Sequence, residues 1–225
     1  MRQIDSSYWK DRTVFVTGHM GFKGAWLMRL LSRIGATSWG YGRDERHPLL
    51  YPELALERHT HRQGELADVA ALTNALKESG AEVLVHLAAQ PIVLTSYEDP
   101  LGTFQDNILG TANVLQAARS APDLKAIVVV TSDKVYRNNE WAWGYRESDH
   151  LGGADPYSAS KAAAEIVTAS MMASFFRTEG APRIATARAG NVIGGGDWAD
   201  YRLLPDAARA LGKKDPLIVR NPAST

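Results

Sequence analysis

Tyr157 and Lys161 stand one helical turn apart in Asp155-Pro156-Tyr157-Ser158-Ala159-Ser160-Lys161, so a helix there carries both on one face. Asp155 is placed to cap that helix and Pro156 to start it. An ordinary phenol, with a pKa of about 10, is no base near neutrality unless a neighbouring cation favours the phenolate. Lys161 offers such a cation, which makes Tyr157 a proton acceptor suited to oxidising an alcohol. The other seven tyrosines, at 8, 41, 51, 97, 136, 145 and 201, have no lysine four residues on. A second reactive group is Thr131-Ser132-Asp133-Lys134. Ser132 can hydrogen-bond a reacting hydroxyl, and Asp133 and Lys134 set an acid and a base side by side. The same residues would also suit a solvated turn with an incidental ion pair.

A third group works through its backbone. Thr13 to Thr17 is an apolar run leading into Gly18-His19-Met20-Gly21-Phe22-Lys23-Gly24, followed by a helix-forming stretch. Glycines at 18, 21 and 24 let the chain turn tightly, and the next helix aims its free N–H groups and positive end at a pyrophosphate. Gly24 follows Lys23 where an ATP-binding loop needs Ser or Thr, so the segment reads as a dinucleotide site. Glycines alone would equally serve any tight strand-to-helix connection.

The elements that must position these groups alternate. Strands are predicted near 13–17, 37–42, 59–63, 82–87, 126–132 and 183–189, and helices near 22–34, 68–79, 100–120, 156–179 and 203–212. Runs such as Val83-Leu84-Val85 and Ile127-Val128-Val129-Val130 are continuously apolar, as parallel strands covered on both faces should be. Six strands in this rhythm predict an α/β fold: a doubly wound parallel Rossmann sheet in the order 3-2-1-4-5-6, with ligands at the carboxyl ends near the switch between strands 1 and 4. Residues 1–190 form the expected dinucleotide-binding domain and 191–225 the beginning of a substrate-binding region. The polar, proline-containing end, Arg220 to Thr225, suggests a chain that continues into a further segment. Arg43–Leu56 and Arg137–Ala154 are candidate ligand loops.

Composition narrows the field. The 225 residues are 45% apolar, enough for a substantial core, and 25 Lys plus Arg balance 25 Asp plus Glu. That balance gives no global field for nucleic acid or an anionic membrane. Cysteine is absent, which excludes disulfides, thiolate metal sites and thiol catalysis and fits a reducing cytoplasm. No metal site is expected. The amino terminus has no export signal, and no run is long enough to span a bilayer. The cofactor's form is open at Gly40-Tyr41-Gly42-Arg43-Asp44: no acid stands at the strand tip, Asp44 comes late, and Arg43 could accommodate the 2′-phosphate of NADP.

Taken with His86-Leu87-Ala88-Ala89-Gln90, Asn107 and Gly190-Asn191-Val192-Ile193-Gly194-Gly195-Gly196-Asp197-Trp198, these motifs resemble the extended short-chain dehydrogenase/reductase superfamily, in particular its sugar-nucleotide 4,6-dehydratases. Those enzymes usually show Thr-Asp-Glu where this chain has Ser132-Asp133-Lys134, and the lysine points to their CDP-glucose branch. The resemblance implies NAD as cofactor, held by Gly18, Gly21, Phe22, Gly24, Leu87, Ala88, Ala89, Tyr157 and Lys161. It implies catalysis by Ser132, Asp133, Lys134, Tyr157 and Lys161, and contact of Ser132 and Asn191 with the sugar nucleotide. Asp133 would be the acid and Lys134 the base of an elimination following oxidation by Tyr157. It also implies about a hundred further residues that help enclose the substrate, and a homodimer. The dimer is expected from the sequence too, because the helices near 100–120 and 156–179 carry apolar residues on more than one face: Ala112, Leu115 and Ala118; Ile166, Val167, Met171 and Phe175. Two other readings stay open: an epimerase or reductase on the same scaffold, which needs Tyr157 and Lys161 but not Asp133 and Lys134, and a dinucleotide-binding protein without turnover.

Overall fold

Strand β1 (Thr13–Thr17) faces two ways. Val14 and Val16 pack on one side with Met28, Leu31 and Ala36, while Phe15 packs on the other with Leu72, Leu76, Leu84, Leu115 and Ile127. Successive residues of a strand point to opposite faces, so burial of both sets requires helices on both sides of the sheet. The computed structural model, described here for residues 5–43, 58–219 and 222, has that form. Six parallel strands run in the order β3-β2-β1-β4-β5-β6, as the sequence predicts. The others are β2 (Thr37–Gly42), β3 (His59–Gln63), β4 (Val83–His86), β5 (Ala126–Val130) and β6 (Arg183–Ala187). The edge strand β3 is largely exposed.

After the short α1 (Ser6–Trp9) come α2 (Phe22–Arg33) and α3 (Val69–Ser79). Asp68 caps α3 by accepting from Ala71 N–H at 2.9 Å, and Gly80, at φ 58°, ends it in the left-handed region that glycine adopts without strain. By contrast α2 begins at Gly21 with no side-chain cap. Its first-turn N–H groups thus point, with the helix's positive end, at whatever lies beyond the glycine turn.

The predicted helix over 100–120 is three pieces, α5 (Pro100–Phe104), a π-turn (Gln105–Leu109) and α6 (Gly110–Ala118), preceded by α4 (Val93–Glu98), which the sequence does not announce. The wider π-turn carries the buried Asn107. Its side chain accepts from Gln90 N–H at 2.8 Å and donates to Gln90 C=O at 3.1 Å and to Ser160 Oγ at 2.8 Å. One amide thus ties the loop after β4 to the helix bearing Tyr157. That helix, α7 (Pro156–Phe175), stops four residues before the predicted end. Asp155 caps it as expected, accepting from Ser158 N–H at 2.9 Å. The last helix is α8 (Leu203–Lys213). Among the described residues no helix is long and apolar enough to cross a membrane. Asp44, and all of the predicted ligand loop Arg43–Leu56 except Arg43, lie outside the described residues.

Candidate active site

The carboxyl ends of β1 and β4 meet backbone to backbone. Gly18, at φ 69°, lies so close to the loop after β4 that a Cβ there would stand 2.6 Å from Ala88 N. Leu87 and Ala88 donate their N–H groups to Thr17 Oγ1 at 3.2 and 3.3 Å. A Cβ on Gly24 would run into the Gly18 carbonyl, so the third glycine seats α2 against the turn. Gly18, Gly21, Phe22 and Gly24 are thereby gathered beside Leu87, Ala88 and Ala89, at the switch between strands 1 and 4. Behind them His86 is fully buried between the Thr17 hydroxyl (2.7 Å) and the Thr111 hydroxyl (3.2 Å). Burial, helped by the Lys161 charge, lowers its pKa to about 3.

His19 is also fully buried. Its ring lies over Gly40 of β2, where a Cβ would strike it, and reaches past to His61 of β3, Nε2 to Nδ1 at 2.6 Å. Burial and the neighbouring His61 lower the His19 pKa to about 4.

Next to the glycine turn opens a cleft of about 680 Å³. Ser132, Lys134, Tyr157 and Asn191 line it, with Lys23 from α2 and Arg202 from the segment before α8. Its outer wall is the 191–205 stretch, docked on α2 by the Trp26 indole N–H donating to Gly195 C=O at 3.0 Å and by Phe22 against Gly194. Asp197 in that wall holds Arg202 at 2.8 Å. Neither Lys23 nor Arg202 is singled out by sequence spacing, since both reach the cleft through a long-range fold contact.

Ser132 is the junction of the reactive groups. It donates to Asp133 Oδ1 at 3.0 Å and accepts from Lys134 N–H at 3.2 Å, and it lines the cleft together with the Tyr157 phenol. Asp133 stands behind it, its N–H donating to Ala189 C=O at 3.0 Å. Lys134 is exposed at the cleft rim. The structure therefore brings Ser132, Asp133, Lys134, Tyr157 and Asn191 to one place. Lys161 lies one turn from Tyr157, as the spacing predicts. The Lys161 ammonium is buried behind the phenol and donates to Val130 C=O at 3.3 Å rather than to the phenol. Burial pushes the Tyr157 pKa up, with Ser132 pulling the other way. Burial and the Lys23 charge depress that of Lys161 to about 8, opposed by Glu165.

At the tip of β2, Arg43 is already engaged. It makes a two-pronged bond to Asp106, at 2.8 and 2.9 Å, and a 2.6 Å bond to Glu65.

The sequence matches the NAD dependent epimerase/dehydratase family over residues 14–223. It is 44% identical to the CDP-glucose 4,6-dehydratase of Salmonella typhimurium, across 98% of this chain and 63% of that protein. It is 31% identical to the GDP-6-deoxy-D-mannose reductase of Pseudomonas aeruginosa, across 89% of this chain and 58% of the relative. Among solved structures it superposes on the dTDP-glucose 4,6-dehydratase of Streptomyces venezuelae, determined with NAD bound, with a TM-score of 0.81 and 25% identity, covering 91% of this chain and 63% of that one. The chain thus spans about three fifths of the length of these relatives. With a match that runs through both the glycine turn and the cleft wall, the chain belongs to the NAD dependent epimerase/dehydratase family.

Proposed function

We propose that this chain carries the dinucleotide-binding and catalytic part of an NAD-dependent lyase that converts CDP-D-glucose to CDP-4-keto-6-deoxy-D-glucose and water. The observation that carries the reading is the cluster at Ser132, which shares the cleft lining with Tyr157 and Lys134 and is hydrogen-bonded to Asp133 and to the Lys134 N–H. The 44% identity to a CDP-glucose 4,6-dehydratase supports the choice of substrate. Residues 1–190 are taken as the cofactor domain and 191–225 as the beginning of the substrate-binding region.

The glycine turn fits a dinucleotide. The uncapped start of α2 presents N–H groups to a pyrophosphate, and Gly18 and Gly24 leave no side chain in its way. Gly21, Phe22, Leu87, Ala88 and Ala89 complete that cradle, and Tyr157 and Lys161 close it from α7. When bound, NAD supplies the acceptor, and later the donor, of one hydride. Ser132 holds the sugar C4 hydroxyl and Tyr157 takes its proton as the C4 hydrogen leaves, so that C4 becomes a ketone. The ketone acidifies C5–H. Lys134 takes the C5 proton while Asp133 protonates the C6 hydroxyl, which departs as water and leaves a C5–C6 double bond in conjugation with the ketone. With the hydride that bound NAD would supply at C6, return to C5 of the proton taken by Lys134 would complete the product. Asn191 contacts the sugar nucleotide from the opposite wall.

NAD is favoured over NADP because Arg43, the cation that would meet a 2′-phosphate, is held by Asp106 and Glu65. A cytoplasmic homodimer completes the reading. Ile166 and Phe175 of α7 are exposed at 60% and 46%, and Leu101 and Leu109 beside them are exposed as well. Leu115 and Ala118, by contrast, are spent on the sheet core and leave the dimer surface. Sedimentation as a monomer at micromolar concentration would remove the dimer from this account.

The deciding assay is the ultraviolet absorbance that 4-keto-6-deoxy sugars develop in alkali, read after incubation with CDP-glucose and NAD. In the same mixture Tyr157→Phe should give no reduced nicotinamide, and Asp133→Asn should give a burst and then stall. Conversion of the sugar nucleotide that persists in Asp133→Asn and yields no such absorbance would instead favour an epimerase or reductase. Cofactor binding with no reduced nicotinamide in any form would favour a binding protein.

A further inference from the structure

Glu165 is one helical turn beyond Lys161 on α7, with its side chain only 6% exposed. A buried carboxylate is costly unless paired, and here four donors converge on it. Thr131 Oγ1 and Arg188 Nε donate to Oε1 at 2.6 and 2.9 Å; Thr186 Oγ1 and Arg188 Nη2 donate to Oε2 at 2.8 and 3.1 Å. Those donors come from the ends of β5 and β6, so one side chain fixes where α7 sits along both strands. Thr131 immediately precedes Ser132, so the same bonds set where Ser132 sits relative to α7 and hence to Tyr157 across the cleft.

The carboxylate also has a charge to offer. Lys161 is faced by Lys23 from α2, by the neutral His86 of β4, by Tyr157 on its own helix and by the Val130 carbonyl of β5. Of these only the carbonyl favours an ammonium. Arg188 binds Glu165 from the far side, where its Nη1 donates to Glu147 C=O at 3.1 Å and its guanidinium lies 4.8 Å from the Tyr136 ring centre. Glu165 is thus the anion that stands between two cations, one structural and one in the site.

We propose that Glu165 is a positioning residue, locking α7 in register against β5 and β6 and supplying the counter-charge that holds Lys161 as an ammonium behind Tyr157. The inference rests on the proton-transfer reading of Tyr157, but its test needs neither substrate nor turnover.

The titration of Lys161 is followed by NMR in the whole chain labelled with 13C at lysine Cε, the signal being assigned by its loss in Lys161→Arg. In the unsubstituted protein the midpoint is expected at about 8. Glu165→Gln should lower it by at least about half a pH unit, since an opposing charge at this range shifts a pKa by that much or more. Thr186→Val, which removes a neutral donor and no charge, should leave it in place. Arg188→Gln, which removes the cation competing for Glu165, should raise it. A folded Glu165→Gln protein with an unmoved midpoint overturns the proposal, as does an equal shift in Thr186→Val. Should Glu165→Gln not fold, Arg188→Gln decides alone, an unchanged or lowered midpoint being the overturning result.

Discussion

Replacing Lys161 with methionine should abolish hydride transfer and yet stabilise the fold near neutrality. The side chain keeps a similar length while its charge leaves a buried site. The displacement of the Lys161 pKa from the ordinary 10.5 to about 8 measures how much the folded state disfavours the ammonium. At about 1.4 kcal/mol per unit this is about 3 kcal/mol. Loss of the bond to Val130 C=O returns about 1 kcal/mol, leaving the variant more stable by about 2 kcal/mol at pH 7. The sign with pH follows from the depressed value. Above 10.5 the lysine is neutral in both states and costs nothing. As pH falls from 10.5 through about 8 the unfolded chain takes up the proton first, and the full penalty is in place below 8. Urea unfolding of both proteins at pH 7, 9 and above 10 tests this, because every other titrating group cancels in the difference. The advantage of the variant should shrink across that range and vanish or reverse at its top. A variant less stable at pH 7, or a difference that does not change with pH, would refute the account of a charge held at a cost.

Acid should unfold the protein through its buried imidazoles. The folded-state pKa values of His86 and His19, about 3 and about 4, lie below the ordinary 6.5, so their stabilisation is complete above 6.5 and is lost as pH falls towards 4 and then 3. His86→Gln should flatten the decline of the urea midpoint over that interval; an unchanged slope would clear His86 of the role. Among the glycines, Gly21→Val should leave a folded domain that no longer binds NAD by calorimetry. Gly24→Ala should instead lose the fold, because its methyl meets the Gly18 carbonyl; normal circular dichroism and melting of that variant would contradict the packing. Asp106→Ala combined with Glu65→Ala should free Arg43 and raise affinity for NADP relative to NAD, and an unchanged ratio in paired titrations would show that Arg43 does not read the 2′ position.

The sheet was legible because its signal is local and repeated. Val83-Leu84-Val85 and Ile127-Val128-Val129 are apolar on both faces, and a crossover between parallel strands admits one handedness. Tyr157 and Lys161 were legible for a similar reason, one helical turn being a fixed distance. What escaped is long-range and without period. Nothing within a few residues of Glu165 announces Arg188 or Thr131, although a lone carboxylate on the apolar stretch of α7, four residues from Lys161, was a usable signal. The π-turn at 105–109 has no glycine or proline to mark it; it exists because Asn107 must face both Gln90 and Ser160. Spacing places Tyr157 and Lys161 on one face but does not say which neighbour each bonds, and the Lys161 bond to Val130 C=O has no local signal.

The His19 ring above Gly40 has a consequence for how such chains can change over time. One position lies in the turn after β1 and the other within β2, and they behave as one. A side chain at 40 is impossible while the imidazole occupies that space, yet a smaller residue at 19 would open room for one and release His61 from its partner. Substitution therefore has an order: position 19 must shrink before position 40 can grow, and the reverse sequence passes through a protein that does not fold. Sequences descended from this one should show bulk at 40 only where 19 has already lost its ring, a directional dependence that reconstructed ancestors would reveal as a one-way step.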